Sequence, residues 1–174
     1  MMNFVKATRL AAVAACALAL FAMGVRAETM DNAQWGFSAT FPCQSQLSSQ
    51  PVATNVGNVT LTMYMCSVGE TAYFVGVTDY PAGAIAQRNL DDVYNGVANG
   101  AATNSNGTIR SLDPYTLGNV AGRDAVIDVA SSKQTMHARF FIVGDRLYQE
   151  LFLGPSVEEN SKASLDFLNA FALK

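Results

Sequence analysis

Charge is scarce in this chain of 174 residues: 14% are Asp, Glu, Lys or Arg, against 50% hydrophobic. Histidine occurs once, at His137, and cysteine three times, at Cys16, Cys43 and Cys66. Each shortage excludes something. Low charge with high apolar content excludes a disordered chain. Beyond residue 27 there are one histidine and two cysteines, with no C-x-x-C spacing, which falls short of the four ligands of a structural zinc, so neither a metal nor another cofactor is expected. There is no G-x-S-x-G elbow to present a serine nucleophile and no glycine-rich loop to cradle phosphate. Beyond residue 27 no window holds three basic residues together, and nucleic acid and anionic lipid surfaces both require such clusters.

Long hydrophobic runs are limited to one. Leu10 to Val25 is apolar over 16 residues, short of the ~20 that span a bilayer. Lys6 and Arg9 precede it, and Val25-Arg26-Ala27 follows with small or aliphatic residues where a signal peptidase reads. This pattern predicts a bacterial-type signal peptide over residues 1–27, cleaved near Ala27, and a periplasmic or secreted mature chain. A competing reading makes Cys16 the lipid-modified cysteine of an envelope lipoprotein. Few apolar residues separate Arg9 from Cys16, and the chain stays apolar for nine positions after it, so the cleaved form is favoured.

Residues 28–174 then form a single domain, with eight basic residues against fourteen acidic ones. A chain of this length buries enough surface for one core. Cys43 and Cys66 are its only cysteines, and in an oxidising compartment they are expected to pair.

Alternation marks the strands. Trp35, Phe37, Ala39 and Phe41 share one face of a run ended by Pro42, Val59 to Met65 alternates as cleanly, and Tyr73, Val75 and Val77 line one side of Ala72 to Tyr80. Direct pairing of 35–41 with 59–66 would set Cys66 opposite Gln34, about 30 Å along the strand from Cys43, beyond the ~7 Å that a disulfide spans between Cα atoms. A hairpin of 51–56 with 59–66, turning at Gly57-Asn58, instead puts Cys66 opposite Ser49, from where 44–48 loop back to Cys43. Next, Leu90, Val93, Tyr94, Val97, Ala98 and Ala101 recur at helical spacing behind Asn89 as N-cap, with Gly96 and Gly100 expected to let this helix lie close to a sheet. Strands follow at about 107–112, Ala125 to Val129, Thr135 to Val143 and Arg146 to Leu153, the last two joined by a turn at Gly144-Asp145. Ser156-Val157-Glu158-Glu159 reads as a capping box opening a final helix. The sum is an α+β domain: an antiparallel sheet of about six to eight strands with two main helices packed on it.

The Gly144-Asp145 turn sets Arg139 opposite Glu150, Phe141 opposite Tyr148 and His137 opposite Phe152. A turn at Ser132-Lys133 aligns Val129 with Met136 and Asp128 with His137. Asp128, His137, Arg139, Tyr148 and Glu150 are thereby candidates for a ligand patch on one face. Asp128 beside His137 has the composition of an acid/base pair, but opposite charges across strands are ordinary sheet pairs and no nucleophile accompanies them, so no residue is assigned as catalytic. A small hydrolase-like enzyme using Asp128, His137 and Glu150 is the alternative.

The succession FSATFPC, MYMC, YFVGVTDYP, NLDDVYNG, Gly122-Arg123-Asp124, ARFFIVGDRLYQ and FLNAF resembles a group of small exported bacterial proteins and, through their pattern, the PsbP-like fold. The resemblance runs from Trp35 to Phe171. It implies an antiparallel sheet with helices against it and, from relatives that include an extrinsic photosystem subunit and a nuclear-transport factor, non-catalytic binding. No motif here matches the binding segments of those relatives. What transfers is the fold and the idea of a docking or assembly module, its partner being another envelope protein or a small ligand. Gly122 is read as a turn residue at a strand start.

Overall fold

The computed structural model describes residues 26–174 except residue 55. Most of the segment read as a signal peptide, including Cys16, lies outside the described residues. The described chain forms β1 (Glu28–Asn32), β2 (Phe37–Phe41), β3 (Gln46–Thr54), β4 (Gly57–Val68), β5 (Thr71–Asp79), α1 (Leu90–Ser105), β6 (Thr108–Leu117), β7 (Val120–Val129), β8 (Gln134–Val143), β9 (Arg146–Pro155), α2 (Lys162–Asn169) and β10 (Ala172–Leu173).

Seven strands make one antiparallel sheet in the order β3-β4-β5-β9-β8-β7-β6, and β1-β2-β10 make a second, small one. Because side chains alternate across a strand, the large sheet has two apolar faces. One meets the small sheet and α2: Phe37, Ala39 and Phe41 of β2, Tyr73, Val75 and Val77 of β5, Phe141, Tyr148, Phe152, Phe167, Leu168 and Phe171 form one core. Phe171 stacks on Phe141 with ring centroids 5.8 Å apart and 10° between planes, and on Phe37 at 5.8 Å and 25°. The other face meets α1 through Tyr94, Ala98 and Ala102, packed on Ala125, Ile127, Met136, Ala138 and Phe140. These short alanine side chains let the helix backbone settle close to the strands.

The Gly144-Asp145 turn stands where expected, and α1 starts behind Asn89 as expected and runs one turn past Ala101 to Ser105. Asn89 caps α1 by accepting from the Asp91 N–H, and Asn106 ends it in the left-handed region at φ 52°. Cys43 and Cys66 form a disulfide with Cα atoms 5.9 Å apart, joining the loop after β2 to β4. The hairpin that delivers Cys66 exists, but its register differs. Thr54 pairs with Gly57 and Gln46 with Met65, so Cys66 lies beyond the last pair instead of opposite Ser49. Thr54 closes the turn, its hydroxyl donating to the Gly57 carbonyl and accepting from the Val56 N–H.

Three further expectations are corrected. Ser156–Glu158 is a single 3-10 turn, and α2 opens later, behind Ser161, whose hydroxyl accepts from the Ser164 N–H. Gly122 lies within β7, and the turn is at Gly118, which takes φ +59°. Gly122 is there for space, because a Cβ would come within 2.4 Å of the Phe140 carbonyl oxygen and 2.6 Å of the Phe141 ring. The turn between β7 and β8 spans residues 130–133, with Lys133 in the left-handed region at φ 54°, so Val129 pairs with Gln134. Every partner across these two strands therefore moves by two residues from the expected register.

Candidate functional site

That shift rebuilds the expected patch. Asp128 shares the face but stands opposite Thr135, and its carboxylate meets Arg110 at 3.2 Å, not His137. The carboxylate at His137 is Asp124, which the sequence reading missed. Its Oδ1 lies 2.7 Å from His137 Nε2, and its Oδ2 accepts from Arg139 Nε at 3.0 Å. Arg139 and Glu150 are opposite each other as expected, and so are Phe141 and Tyr148. Tyr148 turns away from the charged groups and donates its hydroxyl to the Trp35 carbonyl at 2.8 Å.

Arg139 is the hub. Besides Asp124 it donates through Nη1 to the Leu168 carbonyl at 2.6 Å and to Asn169 Oδ1 at 3.2 Å, while its guanidinium lies 4.3 Å from the centre of the Tyr115 ring. A cation on the last carbonyls of α2 complements the negative end of the helix. Burial raises the Asp124 carboxyl, but hydrogen bonds and charge from His137 and Arg139 outweigh it and hold the group below the usual carboxylate range. An ionised carboxylate only accepts, so His137 presents its Nε2–H to Asp124.

Glu150 is 1% exposed. Neither of its oxygens has a hydrogen-bond partner among the described residues, and burial pushes its carboxyl well above the ordinary value, with Arg139 opposing and Asp124 adding to the rise. Tyr115 and the end of α2 cover Arg139, and among the described residues His137 bonds Asp124 through Nε2 while its buried Nδ1 has no hydrogen-bond partner. The geometry of the cluster is that of a tie between the sheet and the C-terminal turn of α2. Among the described residues no three His, Cys, Asp or Glu side chains gather as a metal site, and no helix there is long and apolar enough to cross a membrane.

The other face carries an opening. A groove of about 570 Å³ runs between α1 and the β3–β4 hairpin, within the size range of small-ligand sites. Val59, Leu61, Thr78, Leu147 and Gln149 contribute from the sheet, and Val93, Val97 and Ala101 from α1. The apolar stripe of α1 is thus divided: Tyr94, Ala98 and Ala102 pack on the sheet while the neighbouring row lines the groove. Gly96 and Gly100 belong to the groove wall, not to the sheet contact expected of them, and a Cβ on either would meet nothing within 4 Å. The loop between β5 and α1 closes one end. Asp145 fixes it by accepting from the Gly83 and Ile85 N–H groups at 2.7 and 3.0 Å, which seats Ile85 and brings Tyr80 and Arg88 to the rim. Sequence reasoning found the helix and the strands that build this groove but not the groove, since an unfilled space has no residue pattern.

No family model matches this sequence, and no curated protein matches it. Among solved structures, the solution structure of cyanobacterial PsbP (CyanoP) from Synechocystis sp. PCC 6803 is similar, with a TM-score of 0.56 at 9% sequence identity, covering 88% of this chain and 95% of that one. The fold is PsbP-like, as the order of motifs implied. At that identity the likeness concerns the fold, and fold alone does not carry function.

Proposed function

We propose that this chain is an exported, non-catalytic binding module of the bacterial envelope that takes its ligand in the groove between α1 and the β3–β4 hairpin. The observation that carries this reading is the contrast in access: the groove is open and part apolar, whereas His137 is buried against Asp124, whose other oxygen holds Arg139, the residue that ties α2 to the sheet. The Cys43–Cys66 disulfide and a first strand that begins at Glu28, next to the expected cleavage site, support export. The extrinsic binding role implied by the PsbP-like resemblance supports the rest.

The test is mass spectrometry of the protein recovered from the periplasm. Under denaturing conditions the expected chain starts at Glu28 and takes up two alkyl groups only after reduction. Under native conditions it carries a non-covalent species. A lipid-modified Cys16 would move the module to a membrane surface, and turnover in a hydrolase panel that His137→Ala removes without loss of fold would replace binding with catalysis.

A further inference from the structure

We propose that the groove is built for a short extended peptide with a free C-terminal carboxylate, its carboxylate on Arg88 and its chain running along α1 toward Asn104. This rests on the groove being the binding site. The charges point to the head group. Of the eight Lys and Arg side chains beyond residue 27, six hold carboxylates: Arg110, Arg123, Arg139, Arg146, Lys162 and Lys174. Among the described residues Arg88 and Lys133 form no ion pair, and of these Arg88 lines the groove. In a chain with an excess of carboxylates, a cation left unpaired at the rim of a cavity is available to an anionic ligand.

Neighbouring groups refine the choice. Tyr80 lines the groove with Arg88 and offers a phenol donor there; burial pushes its hydroxyl up and the charge of Arg88 pulls it partly back. Asn89 accepts from the Asp91 N–H through Oδ1, leaving its amide N–H groups for a ligand. Asp92 also lines this end. Its negative charge on the same groove as Arg88 penalises a dianion such as phosphate more than a single carboxylate.

The body of the ligand follows from the walls. Gln50, Thr78, Asn104 and Gln149 bring amide and hydroxyl groups to the groove among its apolar residues. An acyl chain would strip these of water and return no hydrogen bond, which is costly, whereas peptide amides pair with them. Apolar side chains of the peptide enter toward Leu61, Val97 and Leu147, and the bare backbone at Gly96 and Gly100 leaves room for a main chain to pass. From Asp92 to Asn104 the helix rises about 18 Å at ~1.5 Å per residue. At ~3.3–3.6 Å per extended residue this length takes about five.

The experiment mixes the purified protein with a pool of pentapeptides bearing apolar side chains and free carboxyl termini, selects by native mass spectrometry, and titrates the peptide retained. The expected result is binding that weakens at least about tenfold when that peptide is C-terminally amidated and by a similar factor in Arg88→Gln, as for loss of a charge-assisted hydrogen bond. Gly100→Leu fills the groove without losing helix propensity, so it should abolish binding with no fall in Tm. Equal binding of acid and amide overturns the carboxylate head. If no pentapeptide binds while palmitate does, and Gly100→Leu removes the palmitate, the peptide assignment falls and the groove reading stands. If ligand binding of either kind survives Gly100→Leu, both fall.

Discussion

The two faces of the seven-stranded sheet are made by the same strands and end differently. On β8, Thr135, His137, Arg139 and Phe141 face the small sheet and α2, and Met136, Ala138 and Phe140 face α1. The first face is covered except at its edge strand β3, where Leu47 is 62% exposed, and has a buried ion cluster at its centre; the second is half covered and holds a groove. The widths of the covers explain this. Seven strands ~4.8 Å apart span about 29 Å between the outer strand axes, and one helix about 10–12 Å in diameter covers little more than two spacings. A three-stranded sheet together with a helix covers most of the width. A single helix set over β6 to β8 leaves the β3–β4 side open, and Met65, pointing to that side, is 43% exposed. Access in this fold is therefore decided by how many elements lie on each face, more than by how apolar the face is.

The closed face can be broken at its hub. Arg139→Leu removes the cation that caps α2 and leaves Asp124 with His137 as its remaining partner. Removing one partner of a buried pair costs about 3–5 kcal/mol, and urea unfolding should show a loss of that order. Arg139→Lys should recover only part, since an ammonium cannot hold Asp124, Leu168 and the Tyr115 ring in one planar fork. A loss under ~1 kcal/mol in Arg139→Leu would mean that the aromatic packing of Phe167 and Phe171 alone fixes α2, and that the ions are incidental.

Much of this contrast was legible in the residues. The alternation of Tyr73, Val75 and Val77 and the spacing behind Asn89 gave the strands and the helix, because burial enforces period 2 in one and 3.6 in the other. The Gly144-Asp145 turn fixed Arg139 opposite Glu150 because a two-residue turn leaves one register. The β7–β8 turn did not, since its four residues use a left-handed Lys133, a conformation with no strong residue signature outside glycine and asparagine. That error exchanged Asp128 for Asp124. A register setting Ala125 against Ala138, two small residues in one layer beneath a close helix, would have avoided it. The strands β1 and β10 carry too few buried residues to show a period, and the groove carries none.

The charge on the closed face is testable by pH. Because burial raises the Glu150 carboxyl above its unfolded value, the folded state keeps a proton that the unfolded chain releases above about pH 4.3. Stability should therefore fall as pH rises from there to the folded pKa, at up to about 1.4 kcal/mol per pH unit. Glu150→Gln cannot ionise and should lack this slope. Its stability relative to the parent should be nearly constant below pH 4 and improve steadily above it. Asp124 works in the opposite sense, its lowered pKa costing stability as pH falls through the folded value, and that limb should remain in the variant. Parallel curves for parent and Glu150→Gln above pH 4.3 would show that the carboxyl is solvated.

The open face predicts the smallest effect and a change of sign. Glycine within a helix costs about 0.8–1 kcal/mol relative to alanine, and at Gly96 and Gly100 nothing lies where the methyl group would go. Gly96→Ala and Gly100→Ala should each raise stability by about that amount, read as a higher urea midpoint with an unchanged slope. The same substitution at Gly122, on the closed face, drives a methyl group into the Phe140 carbonyl and the Phe141 ring and should lower stability. Were Gly100→Ala also to lower it, α1 would have to lie closer to β4 in solution than here, and the groove would be shut. If both α1 variants gain stability, these glycines stand in α1 at a cost to the fold, at the two positions where the helix leaves the groove wall bare.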